Sequence, residues 1–186
     1  MISVAAYLEN EKVADLRSEY VNGLCLPVVG ASRRHDQICM RLAQLLADHL
    51  NGSACRLFRP RVKVHLQGPA DERFYYPDLH VACQEAAEHP DYLDTPRLII
   101  EVLSAASAHR DRDEKAPAYC RMATLDELVL VADDAPRIEV RRRRDQWAPE
   151  TLVDTGALDL ISIGAVIPLE QIFGGLAPGG NKEPLT

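Results

Sequence analysis

The chain has 186 residues, of which 47% are hydrophobic and 5% aromatic, and its formal net charge is −7. That length fits one domain with a sizeable core, and the scarcity of aromatics argues against a base-stacking platform for single strands. The acidic balance argues against a non-specific nucleic-acid binder, but not against a nuclease whose basic residues cluster around a cleft.

Residues 2–10 read as a short helix. Arg17 to Pro27 carries two short apolar runs around Asn22-Gly23, a hairpin signature. Gly30-Ala31-Ser32 reads as a loop, with Ser32 as N-cap of a helix on which Ile38, Leu42, Leu45, Leu46 and His49 recur at helical spacing. Asn51-Gly52 closes that helix, and the stripe assigns His49 to the core. Arg61 to Leu66 alternates as a strand and stops at Gly68-Pro69. Two apolar strands follow, Phe74–Val81 and Arg97–Leu103, separated by a polar loop with Glu88, Asp91 and Asp94. Ser104 to Met122 reads as a helix capped by Ser107, with a kink or restart at Pro117, since an interior proline costs roughly 3 kcal/mol. Leu128–Val131 is a buried strand, Arg137–Arg142 and Gln146–Leu152 an outer hairpin, Ile161–Pro168 a last strand and Leu169–Phe173 a last helical turn. This order predicts an α/β fold, a single domain over 1–173 and a loose Gly- and Pro-rich tail over 174–186.

Asp78 and Glu101 stand out because each lies among strand-forming apolar residues, where a carboxylate is costly to bury unless it is paired or binds a metal. Alternation puts Asp78 on one face with His80 and Ala82, and Glu101 on one face with Ile99 and Leu103. If the two strands are neighbours, the acids form a hard-oxygen site suited to Mg²⁺ or Mn²⁺. Lys115, on the next helix, could act on an attacking water or neutralise developing charge. Carboxylate, carboxylate and lysine in this order point to metal-assisted phosphodiester cleavage.

Each residue also has a plainer reading. Asp78 could cap a turn, Glu101 could pair with Arg97 or Arg112, and Lys115 could form a helix ion pair with Asp111. His80 is a candidate for support of Asp78. The run Arg141–Arg144, and the segment with Arg56, Arg59, Arg61 and Lys63, could touch phosphates or form solvated surface. The five cysteines are odd in number, scattered and without a Cys-x-x-Cys pair, so free thiols in a reducing compartment are expected. With no signal-peptide pattern and no apolar run of about 20 residues, the expected protein is cytoplasmic and does not enter a membrane.

Five segments in order resemble the Uma-type family of restriction-endonuclease-like proteins, within the PD-(D/E)XK nuclease superfamily. They are Glu19-Tyr20-Val21-Asn22-Gly23, Gly30 to His35, Tyr76-Pro77-Asp78, Leu98 to Ser104, and Asp111 to Lys115 with Tyr119. The resemblance implies a restriction-endonuclease-like mixed β-sheet flanked by helices, a Mg²⁺- or Mn²⁺-dependent DNA endonuclease, and a homodimer. It further implies that Asp78 and Glu101 bind the metal, that Lys115 is the family's displaced lysine, and that Glu19 and His35 assist. The chain departs from the family pattern at Leu24, where the hairpin usually has an acid, at Ser104 to Ser107, and at Pro117. The alternative reading is a catalytically degenerate nuclease fold that binds nucleic acid or regulates.

Overall fold

The chain folds as two main β-sheets that share an apolar layer with the helical segment 116–119, with the helices over 33–50 and 169–173 on the far face of one sheet and the helix over 4–13 on the far face of the other. The structure is a computed structural model that describes residues 1–28, 30, 32–83 and 89–176. Ala31, Glu88 and residues 177–186 of the expected tail lie outside the described residues.

The first elements follow the sequence reading. Helix α1 (Val4–Val13) starts where the Ser3 hydroxyl oxygen accepts the Ala6 N–H. Strands β1 (Ser18–Val21) and β2 (Leu24–Pro27) form the predicted hairpin. Asn22 and Gly23 both have positive φ, 49° and 92°, as a type I′ turn requires. Helix α2 (Arg33–Leu50) begins at Ser32, whose Oγ accepts the His35 N–H at 3.0 Å. Its Ile38, Leu42 and Leu46 are fully buried, each worth about 1.5–3 kcal/mol relative to exposure. His49 does not join them: Leu50 takes the buried position, and His49 is exposed with Nε2 2.9 Å from the Ile163 carbonyl oxygen.

The middle of the chain contains β3 (Arg56–Phe58), β4 (Lys63–Gly68), β5 (Asp71–Tyr75), β6 (Leu79–Ala82), β7 (Tyr92–Leu93) and β8 (Leu98–Leu103). The expected single strand over 74–81 is two strands in different sheets. Pro77 offers no N–H to a ladder, and the chain crosses between sheets at Tyr76-Pro77-Asp78. The long helix expected over 104–122 is also divided. Helix α3 (Ala108–Arg110) runs into a π-helical turn (Asp111–Lys115) and then α4 (Ala116–Tyr119). The Ala116 N–H reaches back to the Asp111 carbonyl, and Pro117 falls in the first turn of α4, where its missing N–H matters little. Ser107 provides no side-chain cap; its Oγ accepts the Ser104 N–H instead.

The chain continues through β9 (Glu127–Ala132), β10 (Arg137–Arg142), β11 (Pro149–Val153), β12 (Ala157–Leu160), β13 (Ala165–Pro168) and α5 (Leu169–Phe173). The β10–β11 hairpin was expected; β12 was not, and Ile161–Gly164 is the turn joining it to β13.

One sheet has the order β2-β1-β5-β4-β7, the other β11-β10-β9-β8-β6-β3, and β12-β13 form a separate pair. In β8, Leu98, Ile100 and Val102 face α2 and α5, whereas Ile99 and Leu103 face the first sheet and α4. The second sheet is therefore apolar on both faces, as a central sheet must be. Glu101 sits on the face between the two sheets. Tyr7, Tyr20 and Phe74 form a third cluster beneath α1.

Two expectations change here. Cys55 and Cys83 form a disulfide, leaving Cys25, Cys39 and Cys120 free. They flank the β3–β6 pair, where Arg56 lies opposite Ala82; a register-made neighbour is invisible in a sequence separation of 28. The bond removes the free-thiol argument for a reducing compartment. Among the described residues, no helix is long and apolar enough to cross a membrane.

Candidate active site

The antiparallel register of β6 and β8 pairs Leu79 with Ile100, so Asp78, one residue before β6, comes opposite Glu101. The Asp78 N–H donates to Glu101 Oε2 at 3.2 Å, and Asp78 Oδ2 accepts the Val102 N–H at 2.7 Å. The strand break at Pro77 thus lets Asp78 act as an extra rung of the β6–β8 ladder through its side chain.

Three elements close around this pair. From β1, Glu19 Oε1 accepts the Tyr76 N–H at 2.9 Å. From the π-helical turn, Lys115 Nζ lies 3.1 Å from Glu19, 3.2 Å from Asp111 and 3.4 Å from Glu101. From α2, His35 Nε2 lies 3.2 Å from Asp78 Oδ2. All five residues expected at a site are brought together, and all line one cleft of about 650 Å³. Glu101, Glu19, Asp111 and Lys115 are buried, while the Asp78 side chain keeps 18% exposure.

Four contributors did not emerge from the sequence as site residues. Asp111 appeared only as a helix partner for Lys115. Tyr119 donates its hydroxyl to Glu101 Oε1 at 2.8 Å, Arg110 donates to Glu19 Oε2 at 2.5 Å, and Cys39 Sγ lies 3.6 Å from His35 Nδ1. The spacing of Asp111, Lys115 and Tyr119 four residues apart carried the signal of one inward face; the sulfur of Cys39, one turn beyond His35, carried another.

Burial pushes Glu101 up, to about 8; Lys115 opposes this, while Asp111, Asp78 and Glu19 add to it. Burial pulls Lys115 down, but Glu101, Glu19 and Asp111 outweigh it and hold the ammonium charged above its ordinary range. Burial also pulls His35 down, and Asp78 outweighs it to raise the imidazole.

Other expectations resolve differently. Arg97 pairs with Asp126 rather than Glu101. The arginine run is engaged within the fold: Arg141 with Glu139, Arg142 with Glu127 and Glu150, Arg143 with the Met122 and Leu125 carbonyls, and Arg144 with Asp145. Leu24, the departure in the hairpin, is exposed on β2, and the hairpin residues that line the cleft are Arg17, Glu19, Leu26 and Pro27.

His80 does not support Asp78. It is fully buried, stacks on Phe58, and neither ring nitrogen has a partner among the described residues. Burial lowers its pKa to about 3, so the folded protein keeps it neutral while the unfolded chain protonates near 6.5. The folded state therefore loses stability as pH falls from about 6.5 toward 3, by roughly 2 kcal/mol at pH 5. Urea unfolding at pH 7 and pH 5 checks this: His80→Phe removes that part of the acid sensitivity.

A profile of the family Uma2, described as "Putative restriction endonuclease", matches residues 4–172. The Synechocystis sp. protein slr1290 is 27% identical over 179 residues, covering 95% of this chain and 93% of its own length. The protein sll1609 of the same organism is 29% identical over 146 residues, covering 75% of this chain and 79% of its own length. A crystal structure described as "a putative nuclease belonging to DUF820 from Anabaena variabilis" superposes with a TM-score of 0.67, at 15% identity, covering 86% of this chain and 91% of that one. At that identity the likeness speaks for the fold, a mixed α/β nuclease-like architecture.

Proposed function

Since the chain belongs to the Uma2 family of "Putative restriction endonuclease" proteins, we propose that it is a Mg²⁺- or Mn²⁺-dependent endonuclease that hydrolyses phosphodiester bonds in DNA. The observation that carries this reading is the convergence of Asp78, Glu101 and Lys115 from three elements on one open cleft.

The donor set fits a hard divalent ion. Among the described residues, four carboxylates (Glu19, Asp78, Glu101 and Asp111) meet the cations Lys115 and Arg110 and the His35 ring, and Asp111, Asp78 and Glu19 each add to the upward push that burial gives Glu101. In this reading Asp78 and Glu101 hold the ion. When bound there, it supplies a Lewis acid for a phosphate oxygen. Lys115 is held charged by Glu101, Glu19 and Asp111. That charge suits it to neutralise charge that develops on the phosphate. Glu19 positions that ammonium, and the His35 ring fixes the Asp78 carboxylate. Arg17 and Arg59 line the same cleft and supply the local positive charge an acidic protein needs to hold a phosphate backbone.

A supercoiled plasmid incubated with the protein is expected to be cut with Mg²⁺ or Mn²⁺ and left intact with a chelator. Intact plasmid in every metal, with salt-sensitive DNA binding, would instead favour the degenerate binding module. A homodimer in one compact domain over 1–173 belongs to the same proposal, and sedimentation equilibrium checks the stoichiometry.

A further inference from the structure

Cys39 lies one helical turn after His35, a spacing that puts two side chains on the same helix face. Both line the cleft, and both approach Asp78. One donor atom from each of His35, Cys39 and Asp78 falls within 4.8 Å of the others. Measured singly, the sulfur is 3.6 Å from His35 Nδ1, and the Asp78 oxygen 3.2 Å from His35 Nε2.

A cation with a Zn–S bond of about 2.3 Å and a Zn–N bond of about 2.0–2.1 Å holds its donors roughly 3–4 Å apart. The sulfur and the carboxylate meet different nitrogens of the His35 ring, so a shared ion takes one of them, and the remaining separations stay within 4.8 Å. Sulfur, imidazole and carboxylate together form a borderline-soft set that suits Zn²⁺, whereas Mg²⁺ takes oxygen ligands and keeps its waters. Glu101 meets Asp78 through the Asp78 N–H and offers only oxygen.

We propose that His35, Cys39 and Asp78 form a zinc site that shares Asp78 with the Asp78–Glu101 pair, so that Zn²⁺ and Mg²⁺ compete for one carboxylate. On binding, the Cys39 S–H bond breaks, the sulfur bonds the metal and the proton passes to solvent. Three protein ligands leave a position open to the cleft. Zinc there withdraws Asp78 from the hard-ion pair and switches the cleft off. Zinc binding stands on the three side chains alone; only the switching rests on the nuclease reading.

Co²⁺ added to the full-length protein reads the site, because a thiolate ligand gives a near-ultraviolet charge-transfer band that oxygen and nitrogen ligands do not. The wild type is expected to show the band. Cys39→Ser and Cys39→Ala are expected to abolish it and to weaken Zn²⁺ binding in calorimetry by at least ~10-fold, the loss that even an outer partner of a metal ligand causes. His35→Ala should act likewise, and Glu101→Gln should retain the band. Thermal unfolding of each variant confirms that the fold is kept. No band in the wild type, or an unchanged band in both Cys39 variants, overturns the site, because the sulfur would then be absent or would come from Cys25 or Cys120. For the switch, Zn²⁺ should suppress Mg²⁺-dependent cleavage at lower concentration in the wild type than in Cys39→Ser. If neither protein cuts DNA in Mg²⁺, the nuclease reading fails while the cobalt spectrum still decides the zinc site.

Discussion

Asp78→Asn and Glu101→Gln are each expected to lower Mg²⁺-dependent DNA cleavage by about 10²–10³-fold or more, the scale of losing one group that stabilises transition-state charge, while the melting temperature stays near that of the wild type. Isosteric amides are the informative changes. Glu101 accepts from Tyr119, Lys115 and the Asp78 backbone inside the fold, and an amide oxygen can still accept. Glu101→Ala removes every acceptor at once and leaves a buried ammonium short of a partner, a change that costs about 3–5 kcal/mol. Lost activity in the alanine variant would therefore mix chemistry with unfolding. The double amide variant should be little worse than either single one, because residues that act as a unit are not additive. Cleavage that survives both amide changes would reject the pair as the metal site.

How much of this was legible in the sequence depended on how local each signal was. The turn at Asn22-Gly23 and the Ser32 cap are set by neighbours within a few residues and appear as read, and the stripe of α2 does so at Ile38, Leu42 and Leu46 but ends on Leu50 rather than His49. The apolar run around Glu101 announced a buried acid because a carboxylate in that setting demands compensation. What the sequence hid lies in register and in breaks. Cys55 and Cys83 meet only because β3 pairs with β6. Asp78 was read inside a strand because Tyr-Pro-Asp interrupts an apolar alternation without changing its appearance. The π-helical turn adds a residue to the helix, and periodicity gives no sign of it. Such turns recur at functional sites; this one aims Asp111 and Lys115 into the same cluster as Glu19 and Glu101. Glu127 shows that burial alone does not identify a site. It too is a buried acid in an apolar strand, but Arg142 and the Ile161 and Ser162 N–H groups satisfy it, and it joins β9 to the β12–β13 turn.

Lys115→Met tests the cluster from its other side. Methionine keeps much of the length of the side chain and discards the charge, so Glu19, Glu101 and Asp111 face one another without the ammonium that now lies 3.1–3.4 Å from each. Removing one member of a buried ionic group costs about 3–5 kcal/mol, which in a chain of this size lowers the melting temperature by roughly 6–20 °C. The deficit should depend on pH in a definite direction. Glu101 already sits above its unfolded value, at about 8, so its contribution is fully present below about 4.5 and fades as pH rises through 8. Without Lys115 to oppose the neighbouring acids the carboxylates hold protons more strongly, so the variant's deficit should shrink toward pH 5 and widen toward pH 9. A divalent ion supplies the missing positive charge, and Mn²⁺ should raise the melting temperature of Lys115→Met by more than that of the wild type. A variant that melts within two or so degrees of the wild type across this pH range, and gains nothing extra from Mn²⁺, would mean that the carboxylates are not organised around the lysine, and the charge argument for a metal at Asp78 and Glu101 would fall with it.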